Sequence, residues 1–312
     1  MTKLFLGIDL GGTEIKVAVV DDKGNIVEMG AVKNDPSLKP EQLCAEIIDK
    51  ARNMKDFRRI SGTGIGVAGD IDQKRGVVRF SPNLPRWKNA NLRVLLGKAL
   101  PKPIVVDNDA NAAALGAFWL DAKGKVKHLL CVTLGTGVGG GLICDGKLYR
   151  GASGTAGEIG HMPYNPDGPE CNCGSRGCIE RYIGAPNLSF HAREGVKSGK
   201  SSIMHEMVGG NLEKITPKII ADAARKGDSY AQRIWNETGE KLGIVLAGVI
   251  NLINPEMIII AGGISKADDL LLKPVQKAVD ERAFETPRKT CRIKISRYDQ
   301  KLGVVGAALL AK

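Results

Sequence analysis

Near its start the chain reads LFLGIDLGGTEIKVAVV, residues 4–20. The apolar residues on either side of the glycines predict a buried strand over 3–10 and a returning strand over 14–20, joined by a tight turn at Gly11-Gly12-Thr13. The same design returns in LLCVTLGTGVGGGLIC, residues 129–144, which turns on Gly135-Thr136-Gly137. Two hairpins of one design indicate an internal duplication of an α/β unit.

The hydrophobic pattern predicts an alternation of strands and helices around these hairpins. The further predicted strands are 26–32, 63–68, 103–107 and 257–260. The predicted helices are 40–54, 91–99, 109–120, 216–226, 229–253, 268–284 and about 302–312. We predict an α/β fold with a smaller N-terminal lobe at 1–117 and a larger lobe at 118–301, the last helix packing back on the first lobe.

The two glycine turns share a chemistry. Glycines let the backbone approach phosphate oxygens closely, and the N–H groups of a turn form an anion-binding nest. The hydroxyls of Thr13 and Thr136 add donors, and Asp9 can hold the water shell of Mg2+. Each turn alone could be an ordinary hairpin, but two in register favour phosphate binding. Neither matches the P-loop pattern.

A second polar motif is Asp107-Asn108-Asp109-Ala110-Asn111, where a predicted strand meets a predicted helix. The carboxyl end of a strand is where open α/β sheets bind ligands. Asp109 could simply cap the helix. Two aspartates and two asparagines exceed what one cap needs, and they suit a polyhydroxylated ligand whose attacking hydroxyl gives its proton to a carboxylate.

Three cysteines lie within eight residues, at Cys171, Cys173 and Cys178, and the first of them follows His161 by ten residues. Together they have the composition of a closed Cys3His zinc site. Free thiols or a disulfide are the alternatives. The other four of the seven cysteines are scattered through apolar segments, which gives no disulfide framework and favours a reducing compartment.

The composition is that of an ordinary globular protein: 312 residues, 43% hydrophobic and 25% charged. The net charge of +11 could suggest nucleic-acid binding, but the basic residues are dispersed and only 4% of residues are aromatic, so we expect no nucleic-acid partner. The N-terminus lacks a signal-peptide pattern, and polar residues interrupt the apolar stretch 242–264. We expect a cytoplasmic protein without a membrane partner.

These motifs resemble those of the ROK family of sugar kinases and sugar-responsive repressors, in the actin-like ATPase superfamily. The resemblance covers essentially the whole chain. It rests on the two glycine turns, on 107–111, on Gly157-Glu158-Ile159-Gly160-His161 and on Cys171-x-Cys173-Gly174-x-x-Gly177-Cys178-x-Glu180. The resemblance implies a two-lobed, ribonuclease H-like fold of duplicated mixed β-sheet units, with a nucleotide and sugar cleft between the lobes.

The resemblance also implies ATP-dependent phosphorylation of a hexose, with Asp109 as general base and Mg2+ accompanying ATP. The implied sugar-binding residues are Gly69, Asn83, Asn108, Asp109, Glu158, His161 and Glu180. The implied nucleotide-binding residues are Asp9, Gly11, Gly12, Thr13, Gly135, Thr136, Gly137, Gly262 and Gly263. A structural Zn2+ would be held by His161, Cys171, Cys173 and Cys178. Family members are commonly dimers or tetramers, so a homo-oligomer is expected.

Three positions depart from the family pattern: Glu14 stands where lysine is frequent, Ala68 where proline is frequent and Ala117 where glutamate is frequent. None is among the proposed base, zinc ligands or sugar-binding carboxylates.

We expect glucose to be the sugar, with fructose, mannose, allose and N-acetylhexosamines as alternatives. A sugar-responsive regulator of the family would carry an added N-terminal helix-turn-helix, for which the first strand leaves no room. A non-catalytic sugar-binding protein would be expected to lack Asp109 or a glycine turn, and both are present.

Overall fold

The computed structural model of the protein describes residues 2–312. Its strands are β1 (Leu4–Leu10), β2 (Glu14–Asp21), β3 (Ile26–Lys33), β4 (Ile60–Val67), β5 (Asp70–Asp72), β6 (Val77–Phe80), β7 (Ala90–Asn91), β8 (Ile104–Asn108), β9 (Leu129–Leu134), β10 (Val138–Cys144), β11 (Lys147–Tyr149), β12 (Met257–Ala261) and β13 (Arg292–Ile295).

The α-helices are α1 (Pro40–Arg52), α2 (Leu92–Leu96), α3 (Asp109–Leu120), α4 (Glu180–Ile183), α5 (Ala185–Lys197), α6 (Met204–Met207), α7 (Pro217–Arg225), α8 (Ser229–Ile253), α9 (Asp269–Arg282), α10 (Glu285–Thr290) and α11 (Asp299–Leu310). Among residues 2–312, no helix combines the length and apolarity that a membrane crossing requires.

The chain forms two compact units. The first comprises Met1–Cys131, Gly141–Ala156 and Arg297–Lys312, and the second comprises Val132–Gly140 and Gly157–Ser296. The predicted division between 117 and 118 falls within α3, and the first unit extends to Cys131.

The first unit is built on a mixed sheet with the order β3-β2-β1-β4-β8. Strand β1 pairs antiparallel with β2 and parallel with β4. Alternate residues of β1 enter different apolar clusters: Leu4, Leu6 and Ile8 pack with residues of α1, whereas Phe5 packs with residues of α11. This period of two is expected for a strand covered on both faces.

Helix α11 packs against α3, β1 and β4. The approach is close enough that a Cβ at Gly64 of β4 would lie 1.8 Å from the carbonyl oxygen of Ala307. A glycine in the strand therefore lets the last helix lie directly on the sheet.

A second mixed sheet has the order β11-β10-β9-β12-β13, with β10 and β11 antiparallel and β12 and β13 parallel. Its β9–β10 hairpin is the counterpart of the β1–β2 hairpin. The predicted α/β fold of duplicated mixed sheets is confirmed. In the second unit, α8 packs against α7 and α9, and buried residues along α8 such as Trp235 and Leu242 contribute to the core.

The structure differs from the predicted elements where strands and helices are short. Residues 69–88, for which no strand or helix was predicted, contain β5 and β6, which form a small antiparallel sheet with β7. Strands of two to four residues are too short to show a period in the sequence. Helix α5 was also not predicted, since Leu188 and Ala192 are its only buried residues.

Candidate active site and metal centre

The corner between β8 and α3 presents Asp109. Helix α3 begins at Asp109, and the residue before it, Asn108, is the N-cap: its Oδ1 accepts hydrogen bonds from the backbone N–H groups of Ala110 at 2.8 Å and Asn111 at 3.4 Å. The alternative that Asp109 is the cap is therefore wrong. A carboxylate at the first helical position lies at the positive end of the helix dipole.

Asp107 supports this corner through its hydrogen bonds. It is fully buried, and its Oδ1 accepts hydrogen bonds from the backbone N–H of Asn108 at 2.8 Å, Nδ2 of Asn111 at 2.9 Å and Nε2 of Gln73 at 2.8 Å. Its Oδ2 accepts from Nε of Arg150 at 2.7 Å. A buried carboxylate needs this many partners to offset the loss of hydration. Asp107 is thus a fixed support for Asp109.

The predicted sugar-binding residues of the first unit lie near this corner and near the first glycine turn. Nδ2 of Asn108 donates to the carbonyl oxygen of Gly69 at 3.2 Å. A Cβ at Gly12 would lie 3.4 Å from Oδ1 of Asn83, so the Asn83 side chain lies beside the glycine turn. Both functional atoms of Asn108 therefore have protein partners.

Asp9 lies at the end of β1 with its carboxylate enclosed. A Cβ at Gly303 of α11 would lie only 2.4 Å from its Oδ2, so a larger residue there would displace the carboxylate. Burial raises the pKa of Asp9 to about 6, the negative charge of Asp109 contributes to this rise, and Lys16 opposes it. The two carboxylates therefore sense each other's charge, which is the environment that a divalent cation would relieve.

The first glycine turn is held by a residue that the motif did not identify. Buried Asn34 donates through Nδ2 to the carbonyl oxygens of Gly11 at 2.7 Å and Gly12 at 3.3 Å. Its backbone N–H donates to the carbonyl oxygen of Thr13 at 3.1 Å. Asn34 thus binds the carbonyl oxygens of the turn, whereas Gly12 and Thr13 are exposed and accessible.

The second glycine turn, between β9 and β10, has a different support. Oε2 of Glu180 accepts a hydrogen bond from the backbone N–H of Val138 at 2.9 Å, and a Cβ at Gly137 would lie 2.5 Å from the same oxygen. A Cβ added at Gly135 would meet no other described residue within 4 Å, and Thr136 is exposed. Glu180, predicted to bind sugar, thus contacts the predicted phosphate turn.

Gly262 and Gly263 follow β12. Gly262 has a φ of 96°, and its carbonyl oxygen accepts hydrogen bonds from the backbone N–H and Oγ of Ser265 at 3.1 and 2.8 Å. A Cβ on Gly262 would lie 2.2 Å from the carbonyl oxygen of Leu134, the residue before Gly135. The two predicted nucleotide-binding segments of the second unit are therefore neighbours.

The cysteines and histidine of the second unit converge. The potential ligand atoms of His161, Cys171, Cys173 and Cys178 all lie within 4.8 Å of one another. The Sγ atoms of Cys173 and Cys178 are 3.7 Å apart, as are Sγ of Cys171 and Nδ1 of His161. All seven cysteines are unbridged, and a disulfide would require sulfurs at about 2.05 Å.

These distances fit a tetrahedral metal. Two sulfurs bound to zinc at about 2.3 Å lie about 3.8 Å apart. Burial raises the pKa of Cys178 to about 12, whereas the backbone N–H of Ser175 lowers the pKa of Cys173. A cation bound within the cluster would stabilise the thiolate forms of these neighbouring cysteines, which would otherwise repel one another. The donor set therefore fits zinc.

The two ring nitrogens of His161 have different neighbours. Its Nδ1 faces the sulfurs, and its Nε2 lies 4.0 Å from Oε2 of Glu158. The segment that carries both residues is pressed onto the start of β10, because a Cβ at Gly160 would lie 2.0 Å from the carbonyl oxygen of Val138. The ligand cluster, Glu158 and the second glycine turn thus form one packed region of the second unit.

The chain is similar over most of its length to known sugar kinases and sugar-responsive repressors. The chain is 37% identical to a glucokinase of Thermotoga maritima, over 100% of this chain and 98% of that protein. It is 33% identical to a xylose repressor of Caldicellulosiruptor bescii, over 96% of this chain and 76% of the repressor.

Among solved structures, a ROK family glucokinase of Streptomyces griseus in complex with glucose and AMPPNP has a TM-score of 0.84 at 34% identity, and the likeness covers 99% of both chains. This likeness confirms the predicted fold of the actin-like ATPase kind. The model of the ROK family matches residues 5–312. The chain therefore belongs to the ROK family.

Proposed function

We propose that this protein is an ATP-dependent hexose kinase and that glucose is its sugar. The observation that carries the proposal is the full-length similarity to glucokinases, in a chain that keeps Asp109 at the β8–α3 corner. The similarity to a xylose repressor supports a second candidate, a sugar-responsive protein without kinase activity.

In the proposed reaction the first unit supplies the base. Asp109 orients the sugar 6-hydroxyl and accepts its proton as the phosphoryl group is transferred. Asp107 and Arg150 keep the corner rigid, so Asp109 needs little reorganisation when the sugar binds. Gly69, Asn83 and Asn108 complete the proposed sugar contacts of this unit.

The proposed roles of the second unit are sugar and phosphate binding. Glu158 would accept hydrogen bonds from sugar hydroxyls, and Nε2–H of His161 would donate one to a sugar oxygen. Glu180 would join this set to the glycine turn. The N–H groups of both glycine turns would bind phosphate oxygens. The segment at Gly262 would contact the base of the nucleotide.

Two metals have separate proposed roles. Mg2+ would accompany ATP and neutralise phosphate charge, with Asp9 holding its water shell. Zinc would be structural, because His161 and the three cysteines fill a tetrahedral site and leave no vacancy for water.

A coupled ADP-release assay with ATP and Mg2+ over a panel of sugars tests the proposal. We expect the highest kcat/KM with glucose, ahead of mannose, fructose, allose and N-acetylhexosamines. Calorimetric sugar binding without turnover of any of them would overturn the kinase proposal and support the sugar-responsive candidate.

Replacing Gly135 by valine tests the phosphate turn. Because the Cβ position is open, the fold should be kept, and the side chain should occupy the space proposed for phosphate. We expect calorimetry to show ATP affinity at least about tenfold weaker, with sugar affinity retained. Gly248→Val on α8, where the Cβ position is also open, is the matched control. Unchanged ATP affinity in Gly135→Val would reject the phosphate role.

Asp9→Asn should stabilise the ligand-free protein while weakening its use of Mg2+ and ATP. The folded pKa of Asp9 is about 6 and its unfolded value is 3.8, so ionisation disfavours the folded state. The destabilisation is absent below about pH 4, grows as the pH rises to about 6 and is constant above. At pH 8 we expect the variant to be more stable by up to about 3 kcal/mol in thermal or urea unfolding, because one pKa unit corresponds to about 1.4 kcal/mol.

Asp21→Asn provides a control of opposite sign. Burial alone would raise the pKa of Asp21, but hydrogen bonds from Asn25 and Lys23 lower it below its usual value. This variant should lose stability at pH 8, and the loss should fade as the pH falls through that lowered pKa. If Asp9→Asn is less stable than the parent by the same amount at pH 8 and at pH 4, the raised pKa of Asp9 in the folded protein is contradicted.

We also infer that the protein self-associates through the second unit. Leu252 and Phe284 are 81% and 69% exposed, and the backbone N–H of Phe284 donates to Oδ1 of Asn251, which precedes Leu252 in α8. Exposed apolar groups of this size are frequent in protein interfaces. Light scattering of the purified protein measures the oligomeric state.

A further inference from the structure

An open groove of about 710 Å³ runs along β8 in the first unit, at the edge of the sheet. Its lining includes four cationic side chains, those of Arg75, Arg93, Lys98 and Lys102. None of the described residues that line it is acidic. The volume lies within the range of about 300–1,000 Å³ that is usual for small-molecule sites.

The charge of the groove is only partly offset by the residues around it. Arg93 donates to three backbone carbonyl oxygens, those of Ile104 at 3.0 Å, Lys74 at 2.7 Å and Gln73 at 3.1 Å. These acceptors are neutral, so they do not cancel the charge of the guanidinium. Asp72 accepts a hydrogen bond from Nη2 of Arg79 at 3.1 Å and also attracts Arg75, so it offsets part of the charge of Arg75. Cations arranged around a concave surface in this way attract an anion.

The groove also presents apolar surface between these cations. Val94, which is 63% exposed, Pro103, Ile104 and Val105 contribute to the lining. Cationic groups beside apolar surface fit a ligand that has both an anionic group and an apolar body. A highly charged polyanion would leave the apolar surface uncovered.

A chain of contacts leads from the groove to Asp109. Arg93 binds the carbonyl oxygen of Gln73, and the side chain of Gln73 donates to Asp107, which supports the β8–α3 corner. An anion that draws the Arg93 guanidinium towards itself would weaken the hold on Gln73. The groove is therefore connected to the corner through three residues.

We propose that the groove binds a small organic anion with an apolar body, and that its occupant loosens the β8–α3 corner. Any effect of this loosening on Asp109 as a general base rests on the proposed function. Binding of the anion and loosening of the corner do not depend on it. The residues of the groove are distinct from the proposed sugar-binding and nucleotide-binding residues.

The binding test uses 8-anilinonaphthalene-1-sulfonate, which combines an aromatic body with one sulfonate, on the full chain with AMPPNP and Mg2+ present. Its fluorescence should rise saturably with the parent protein. Val94→Glu should weaken this binding at least about tenfold and Lys98→Gln/Lys102→Gln at least about threefold, because they remove apolar surface and positive charge respectively.

Two matched variants control for general effects. Val27→Glu makes the same change at another exposed valine, on β3, and Lys200→Gln/Lys226→Gln removes the same charge from the second unit. Both should bind the dye like the parent. Absence of saturable binding, or equal binding by the groove variants and their controls, overturns the proposed site. Circular dichroism of each variant verifies folding, and the lysine pair keeps the test decisive if Val94→Glu does not fold.

Hydrogen exchange tests the loosening of the corner without an activity assay. The amides of Asn108 and Ala110, which donate to Asp107 and Asn108, should exchange at least about threefold faster when the dye is bound. Gln73→Leu should bind the dye but show no change in this exchange on binding. Dye binding with unchanged exchange in the parent protein overturns the connection. Failure of the sugar assay would bear on the kinase proposal alone.

Discussion

Asp109→Asn is expected to lower kcat by about 10²–10⁴, the usual contribution of a general base. The asparagine keeps the shape of the side chain at the first position of α3 and removes the proton acceptor. Sugar affinity should change much less, because the other proposed sugar contacts, those of Gly69, Asn83 and the second unit, are unchanged. Steady-state kinetics with glucose and ATP, together with calorimetric sugar binding, separate the two effects.

Asp269→Asn is the matched control, since Asp269 is also the first residue of a helix, α9, and is exposed in an ion pair with Lys273. It should retain the parent kcat. A variant of Asp109 that keeps more than half of the parent kcat would reject the assignment. Asp107 could not then replace it as the base, since both its carboxylate oxygens are bound by donors, and a bound water would be indicated.

The same variant tests the electrostatic pairing of Asp9 with Asp109. The charge of Asp109 is one cause of the raised pKa of Asp9, so its removal should lower that pKa from about 6. The pH range over which Asp9 becomes destabilising should shift downwards accordingly.

The elements that the sequence predicted well are those with long, regular patterns. The two hairpins that turn at Gly11-Gly12-Thr13 and Gly135-Thr136-Gly137 place apolar residues on both faces of their strands, which is a local signal. Helix α3 was also predicted over its full length, although its residues are buried nearly all round. The strands β5, β6 and β7 could not be predicted, because their formation depends on pairing with each other.

The candidate site likewise contains residues that the sequence identifies and residues that only the structure reveals. Motif residues such as Asp109 and Cys173 can be identified because their chemistry is dense in a short segment. Their supports cannot: Gln73 and Arg150 reach Asp107 from 34 and 43 residues away, and Asn34 binds the first glycine turn as a single polar residue. Only the folded chain shows which distant polar residues meet a buried carboxylate or carbonyl.

Glu180 shows the limit of reasoning from a motif alone. The resemblance implied a sugar contact, and the structure gives its carboxylate a hydrogen bond to Val138 beside the second glycine turn. One carboxylate can serve both roles because it has two oxygens. Glu180 follows the metal-ligand candidate Cys178 by two residues, so metal binding and the position of the glycine turn are expected to be coupled.

Metal analysis of the purified protein is expected to find about one zinc per chain, and Cys173→Ser should remove it. Cys173 is exposed, so the serine should not disturb the core, and the loss should be confined to the loop. Misplacement of Glu158, His161 and Glu180 should raise the sugar KM at least about tenfold. The KM for ATP should rise as well, because Glu180 no longer holds Val138.

Cys144→Ser is the control for these effects, since Cys144 lies on β10 outside the ligand cluster and should keep zinc and both KM values. Thermal unfolding should show that the fold of Cys173→Ser largely survives, because the apolar core of the second unit lies along α8 and its neighbours. X-ray absorption should find one nitrogen and three sulfur neighbours at the zinc. A coordinated water or sugar oxygen would overturn the structural role, and zinc-free protein of full activity would overturn the site.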